Sequence, residues 1–169
     1  GVALERLRPV PRAEARRRLG RDPGAPFLLL PADPARAVKR ADRARELAAD
    51  AGVPLVTLGH AAPEEMPLWI NAAAAVLVPS DAEGFGLAVV EALACDVPVL
   101  ATPVGIHPEA LAGIDGALCA PYDRAAWGAA LARLLADPDP RVAGRERARR
   151  WSADAMAQRV AQAWREIAG

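Results

Sequence analysis

Residues 78–93 read Val78-Pro79-Ser80-Asp81-Ala82-Glu83-Gly84-Phe85-Gly86-Leu87-Ala88-Val89-Val90-Glu91-Ala92-Leu93, an apolar strand that passes through a glycine-rich turn into a helix. One carboxylate, Glu83, falls in the turn and another, Glu91, inside the helix. The start of a helix presents unpaired backbone N–H groups and the positive end of its dipole, so it attracts an anion. Gly84 and Gly86 let the backbone come close to a ligand. Two carboxylates repel a phosphate; their matching partners are hydroxyl groups, from which a carboxylate accepts in pairs. A nucleotide sugar carries both kinds of group. Taken alone, the glutamates also fit ordinary helix chemistry, with Glu83 favouring the dipole and Glu91 on a solvated face.

Outward from this stretch, strands and helices alternate. Phe27 to Leu30 reads as strand one, Val53 to Leu58 as strand two, Ala75 to Val78 as strand three, Val97 to Thr102 as strand four and Ala117 to Ala120 as strand five. Helical spacing predicts a basic helix from Arg12 to Leu19 and helices over residues 37–51, 63–73, 86–95 and 123–135, with further helix to the end. Gly20 and Gly52 supply stops. Residues 1–20 form a leading segment and helix, 21–150 the main domain, and 151–169 a terminal helix. Several strands are continuous apolar runs, the mark of a parallel sheet covered on both faces. The fold class is therefore α/β, a Rossmann-like open parallel sheet of about five strands.

Right-handed crossovers favour the strand order 2-1-3-4-5, with strand one beside strand three. The chain reverses its direction of travel between those two strands, and open sheets bind ligands at such a reversal. The flanking loops are residues 31–40 and 79–86. The first carries Arg36, Lys39 and Arg40. Cations opposite a helix N-terminus clamp a diphosphate, arginine bidentately and lysine as a point charge; a solvated loop is the plainer alternative.

Composition narrows the function classes. At 169 residues, 53% hydrophobic and 25% charged, the chain is long and apolar enough for one folded domain. A formal net charge of +0 gives no bulk attraction to nucleic acid or an anionic membrane. Cys95 and Cys119 are too few for a disulfide framework and point to a reducing cytoplasm. The longest apolar stretch, Leu68 to Pro79, is too short to span a bilayer. No cluster has metal-ligand spacing and no Walker phosphate loop is present. The arginine-rich runs at 16–18 and 145–150 read as solvated helix faces, and His60, His107 and Glu109 as loop residues near the same sheet edge.

Glu83-Gly84-Phe85-Gly86-Leu87 followed by Glu91, then Ala92-Leu93-Ala94-Cys95 and Val97-Pro98-Val99, resembles the retaining glycosyltransferases of family 4, which have the GT-B fold. Their signature is two glutamates separated by seven residues, as Glu83 and Glu91 are. The resemblance covers nearly the whole chain and implies one half of a GT-B enzyme, the C-terminal half that holds the nucleoside diphosphate sugar. It implies that Glu83 contacts the donor sugar's hydroxyls and is the catalytic candidate. Backbone N–H groups of Phe85, Gly86 and Leu87 would meet the sugar and diphosphate, Glu91 the ribose diol, and Arg36 and Lys39 the phosphates. No metal or cofactor is required, since fixed positive groups serve the diphosphate. The acceptor, a glycan or a lipid-linked sugar, would belong to an N-terminal partner domain. Without that domain the chain is expected to bind nucleotide weakly and transfer nothing. The intact enzyme would be cytoplasmic, at most peripheral to the inner membrane face.

The chain departs from the family pattern in three places. Arg36 and Lys39 are closer together than the family's pair. A strand usual between strand one and the helix near Glu65 has no room here. Asp96 stands where the family has glycine, at a position expected to have positive φ, so Asp96→Gly is expected to be neutral or stabilising. Two rivals stay open: a GT-B epimerase or phosphorolytic enzyme, and a non-enzymatic flavodoxin-like binding module.

Overall fold

The computed structural model describes residues 1–59, 62 and 64–168. Five strands, β1 (Leu28–Leu30), β2 (Leu55–Thr57), β3 (Ala75–Val78), β4 (Val99–Ala101) and β5 (Leu118–Cys119), form one sheet in the order β2-β1-β3-β4-β5. Every pairing is parallel, with Leu28 opposite both Leu55 and Ala75, and Val76 opposite Val99. The expected strand order is the observed one.

Alternation along each strand feeds two apolar layers. Leu28, Leu30, Ala75, Leu77 and Leu100 pack against α2 (Ala41–Ala51) and α6 (Arg124–Leu135) through Ala44, Leu47, Trp127 and Leu131. Leu29, Val76, Val78, Val99 and Ala101 face the opposite layer. That layer holds α1 (Arg12–Arg18), α3 (Met66–Ala72), α4 (Leu87–Ala94) and α7 (Arg145–Ala148). A fully buried leucine contributes about 1.5–3 kcal/mol relative to exposure; β1 is buried at all three positions and β3, the central strand of the five, at all four. The leading residues belong to the same body: Val2 is buried and its backbone bonds Trp151 and Ala153.

Two elements differ from the sequence reading. The helix expected over 37–51 is split into a 3-10 turn, Ala37–Lys39, and α2, because Arg40 adopts φ +51. Its guanidinium is held there by Asp42 at 2.7 Å and Asp81 at 3.3 Å. A short helix, α5 (His107–Leu111), occupies a stretch read as loop.

The basic runs are only partly solvated. Arg12 and Arg16 are buried, and their guanidinium groups donate to the carbonyls of Ala73 (2.8 Å) and Ala72 (2.9 Å) at the end of α3. Arg145 does the same at the end of α4, donating to Ala94 O at 2.7 Å and to Leu4 O at 2.8 Å. These carbonyls lack intrahelical donors, and a cation there also meets the negative end of the dipole. Burial lowers the Arg12 pKa to about 10.

Asp96 has the expected positive φ, +55. Its side chain is also committed, because Oδ1 accepts from Gly144 N (3.0 Å) and Arg145 N (2.7 Å) at the start of α7. The expectation that glycine would serve there at no cost is therefore corrected. The last helix, α8 (Ala153–Ala168), leaves Met156, Val160, Trp164 and Ile167 exposed along one face. Among the described residues no helix is long and apolar enough to cross a membrane.

Candidate functional site

The loops at 31–40 and 79–86 leave the carboxyl ends of adjacent strands and are stitched together by Asp81 N donating to Val38 O at 2.9 Å. That contact brings Lys39 against Glu83. Lys39 Nζ donates to both carboxylate oxygens, at 2.8 and 2.7 Å, and Ser80 Oγ donates to Oε1 at 2.7 Å. Both charged side chains are mostly shielded, at 15% and 10% exposure, so their attraction is stronger than that of an exposed pair. Lys39 is the only lysine in the chain. Ser80 is buried and reaches Glu83 from three residues away, a contact that the sequence reading missed.

The other cations are arranged differently from the expected clamp. Arg36 is exposed and makes no side-chain bond or ion pair among the described residues. Arg40 is turned to Asp42 and Asp81. Arg43, which had no assigned role, binds Asp81 at 2.9 Å and Pro79 O at 2.9 Å. Of the two cations expected at the phosphates, Lys39 is brought against Glu83 and Arg36 is left exposed.

Gly86 precedes α4 with φ +105, a conformation open to glycine. A Cβ there would also lie 2.5 Å from His107 Nε2. Gly105, with φ +56, is equally confined: its Cβ would lie 2.5 Å from Phe85 O. Ile106 N donates to that same carbonyl at 2.9 Å. The loops after β3 and β4 therefore close on each other and fix the turn. Among the described residues the N–H groups of Phe85, Gly86 and Leu87 donate to no protein acceptor. Three unpaired donors at a helix start are groups of the kind that suit an anion. Phe85 and Leu87 are exposed beside it.

Behind the turn, Thr102 Oγ1 donates to Ser80 O at 2.5 Å, and His107 Nδ1 contacts Thr102 O at 2.8 Å. His107 is fully buried, not a loop residue at the surface, and burial lowers its pKa. His60 lies outside the described residues.

Glu91 sits five residues into α4 from Gly86, roughly 7.5 Å along the axis at 1.5 Å per residue. It does not touch the Lys39–Glu83 pair. Its half-buried side chain lines a recess with Ala3, Arg6, Leu7, Met66 and Pro67. Burial raises its pKa, and it accepts no hydrogen bond from the described residues. A second recess, lined by Asp33, Thr57, Gly59 and Trp69, opens at the carboxyl ends of β1 and β2.

Known proteins share this architecture. The sequence profile described as "Glycosyl transferases group 1" matches residues 15–137. The D-inositol 3-phosphate glycosyltransferase of Frankia alni is 42% identical over 109 residues, which cover 60% of this chain and 27% of that protein. The one from Thermobispora bispora is 39% identical over 118 residues, covering 66% and 28%. The chain thus spans little more than a quarter of these relatives. Sucrose-phosphate synthase from Thermosynechococcus elongatus superposes with a TM-score of 0.77 at 26% identity, over 99% of this chain and 51% of that one. The C-terminal domain of a glycosyl transferase group 1 family protein from Francisella tularensis superposes at 0.71 with 18% identity, over 90% of this chain and 100% of that domain. By a profile match over most of its length and a sheet that follows one half of the GT-B fold, this chain belongs to the group 1 glycosyltransferases.

Proposed function

We propose that this chain is the donor-binding half of a retaining glycosyltransferase and holds a nucleoside diphosphate sugar at the turn between β3 and α4. The single observation that carries this reading is the meeting of Lys39, Glu83 and Ser80 beside the orphan N–H groups of Phe85, Gly86 and Leu87. One set of groups suits an anion and the other a hydroxylated ring.

In this reading the diphosphate takes the helix start and Lys39, with Arg36 reaching in from the rim. Glu83 accepts from the sugar hydroxyls and orients the ring. Glu91 accepts from the ribose diol. As the sugar departs, negative charge grows on the diphosphate, and Lys39 with the α4 dipole stabilises it electrostatically. The acceptor, a glycan or lipid-linked sugar, binds a second domain, and the exposed face of α8 is apolar surface that such a domain would cover. Reaction needs both groups held together, so the 169-residue chain binds donor but does not transfer it. The free, separate cysteines suit a cytoplasmic enzyme.

A thermal-shift panel of UDP, GDP, ADP and dTDP sugars, followed by calorimetry, tests this. One nucleotide sugar should raise the melting temperature, and Glu83→Ala should weaken it. If no nucleotide binds, or if the purified chain turns over donor and acceptor briskly, the reading fails.

A further inference from the structure

Among the ionisable side chains around the turn, His107 is the most deeply buried, at 0% exposure, and the reading above gives it no task. Its tautomer follows from its partner. The Thr102 carbonyl only accepts, so Nδ1 carries the proton and donates at 2.8 Å. Nε2 then presents a lone pair, buried and without a partner among the described residues. An apolar side chain would fill the same space without leaving an acceptor unsatisfied.

The position of that lone pair is informative. Nε2 and Cδ2 lie against Gly86, where a Cβ would come within 2.5 and 2.6 Å of them. Gly86 is the residue from which α4 starts, and α4 is eight residues long. An anion on the leading N–H groups of that helix is therefore separated from the imidazole by a single glycine. The charged groups that face His107 are Glu83 and Lys39. They are paired with each other, so their effects oppose. That pair is neutral as a unit, so a bound diphosphate adds net negative charge to this side of the turn even when Lys39 is drawn toward it.

We propose that His107 is a proton-linked element of the phosphate site: a diphosphate seated at the start of α4 draws one proton from solvent onto Nε2, so donor binding and protonation are coupled. This rests on the donor-binding reading given above. Burial keeps the imidazole neutral at neutral pH, consistent with its lowered pKa. Negative charge seated one glycine away favours the charged imidazolium and so raises the His107 pKa in the complex. The folded complex then holds the proton more tightly than the free protein. The gain in affinity is complete below the pKa of the free protein and is lost as pH rises through that of the complex. The imidazolium also adds positive charge where the leaving diphosphate becomes more negative.

The test is calorimetry with UDP-glucose, GDP-mannose and ADP-glucose, whose diphosphate diesters keep a constant charge between about pH 5.5 and 8. Titrations in buffers of different ionisation enthalpy count the protons taken up. The tightest of the three ligands should bind about tenfold more strongly at pH 5.5 than at pH 8, with a net uptake of part of a proton that peaks between the pKa of the free protein and that of the complex. His107→Gln should flatten the pH dependence and abolish the uptake. The chain has two histidines, so NMR of the histidine-labelled wild type resolves His107 from His60 and reads its pKa without and with ligand. That arm stands even if the variant does not fold. A His107 pKa unmoved by a ligand that binds, or proton uptake that persists in His107→Gln, overturns the proposal while leaving the donor-binding reading intact. If none of the three binds and no dTDP sugar does either, both readings fall.

Discussion

Asp96 offers a direct measure of two opposed effects at one residue. Its φ of +55 favours glycine, and replacing a non-glycine residue there relieves about 1 kcal/mol of left-handed strain. Against this stand two hydrogen bonds from Oδ1 to Gly144 N and Arg145 N. Removing an aspartate that caps a helix costs about 0.5–2 kcal/mol, and bonds to a charged acceptor lie at about 1.5–3. The surroundings argue for the upper range, because Gly144 is pressed against Leu93 and a Cβ there would meet Leu93 O at 2.8 Å. The cap therefore fixes the approach of α7 to α4, where Arg145 binds Ala94 O. We expect Asp96→Gly to lose about 1–2 kcal/mol net. Asp96→Ala, which loses the cap and keeps the strain, should lose about 3. Asp96→Asn, with a tolerant backbone and one acceptor oxygen, should lose less than about 1. Urea titrations should show unchanged slopes and midpoints ordered wild type, Asn, Gly, Ala. An Asp96→Gly protein as stable as the wild type would show that the relieved strain matches the lost cap and would refute this ranking.

Glu91 is desolvated and its pKa is raised, so the folded state binds a proton more tightly than the unfolded chain, and ionisation opposes folding once pH passes the unfolded value. Glu91→Gln should therefore raise the urea midpoint at neutral pH while weakening the donor about ten- to a hundredfold, with a smaller loss for 2′,3′-dideoxynucleotides; equal losses for both would make its role structural. Lys39→Met should cost about 2 kcal/mol of nucleotide affinity and Arg36→Met less than about 1, since Lys39 is shielded and Arg36 is at the rim; the reverse ranking in calorimetry would remove Lys39 from the site. Burial pushes the Cys95 thiol up to about 12, so with a disulfide reagent at pH 8 Cys119, half-buried, should react first and Cys95 only as fast as the fold opens; rapid labelling of both would contradict the packing around α4.

The strands were legible because burial on both faces demands continuous apolar runs, and Leu28 to Leu30 and Ala75 to Val78 can hardly be read otherwise. Strand order followed from the handedness of crossovers. The α5 helix was hidden by its own signals. Gly105 and Pro108 both mark loops, yet a proline in the first turn of a helix forfeits no hydrogen bond, and His107–Leu111 uses that position. The arginine runs misled for a different reason. A charged residue on a helix reads as solvated, but the ends of α3 and α4 present carbonyls with no donor, and a guanidinium can satisfy several at once. The break at Arg40 is only partly local: Asp42 lies two residues on, but Asp81, the partner across the loops, lies 41 residues away.

The site divides along the same line. The turn from Glu83 to Leu87 is local, so its glycines and helix start were visible in sequence, whereas Lys39 and Glu83 lie 44 residues apart and meet only because β1 and β3 are neighbours. Their contact changes what the turn can do. Glu83 is held by Lys39 and Ser80, and both of its oxygens are engaged. A sugar hydroxyl alone offers a hydrogen bond in exchange for a shielded ion pair, an unfavourable trade. A diphosphate offers Lys39 an anion of higher charge beside the α4 dipole, and a Lys39 drawn to it releases the carboxylate. In the proposed reading the phosphates are therefore recognised first and the sugar second, so a free monosaccharide should not bind where its nucleoside diphosphate derivative does.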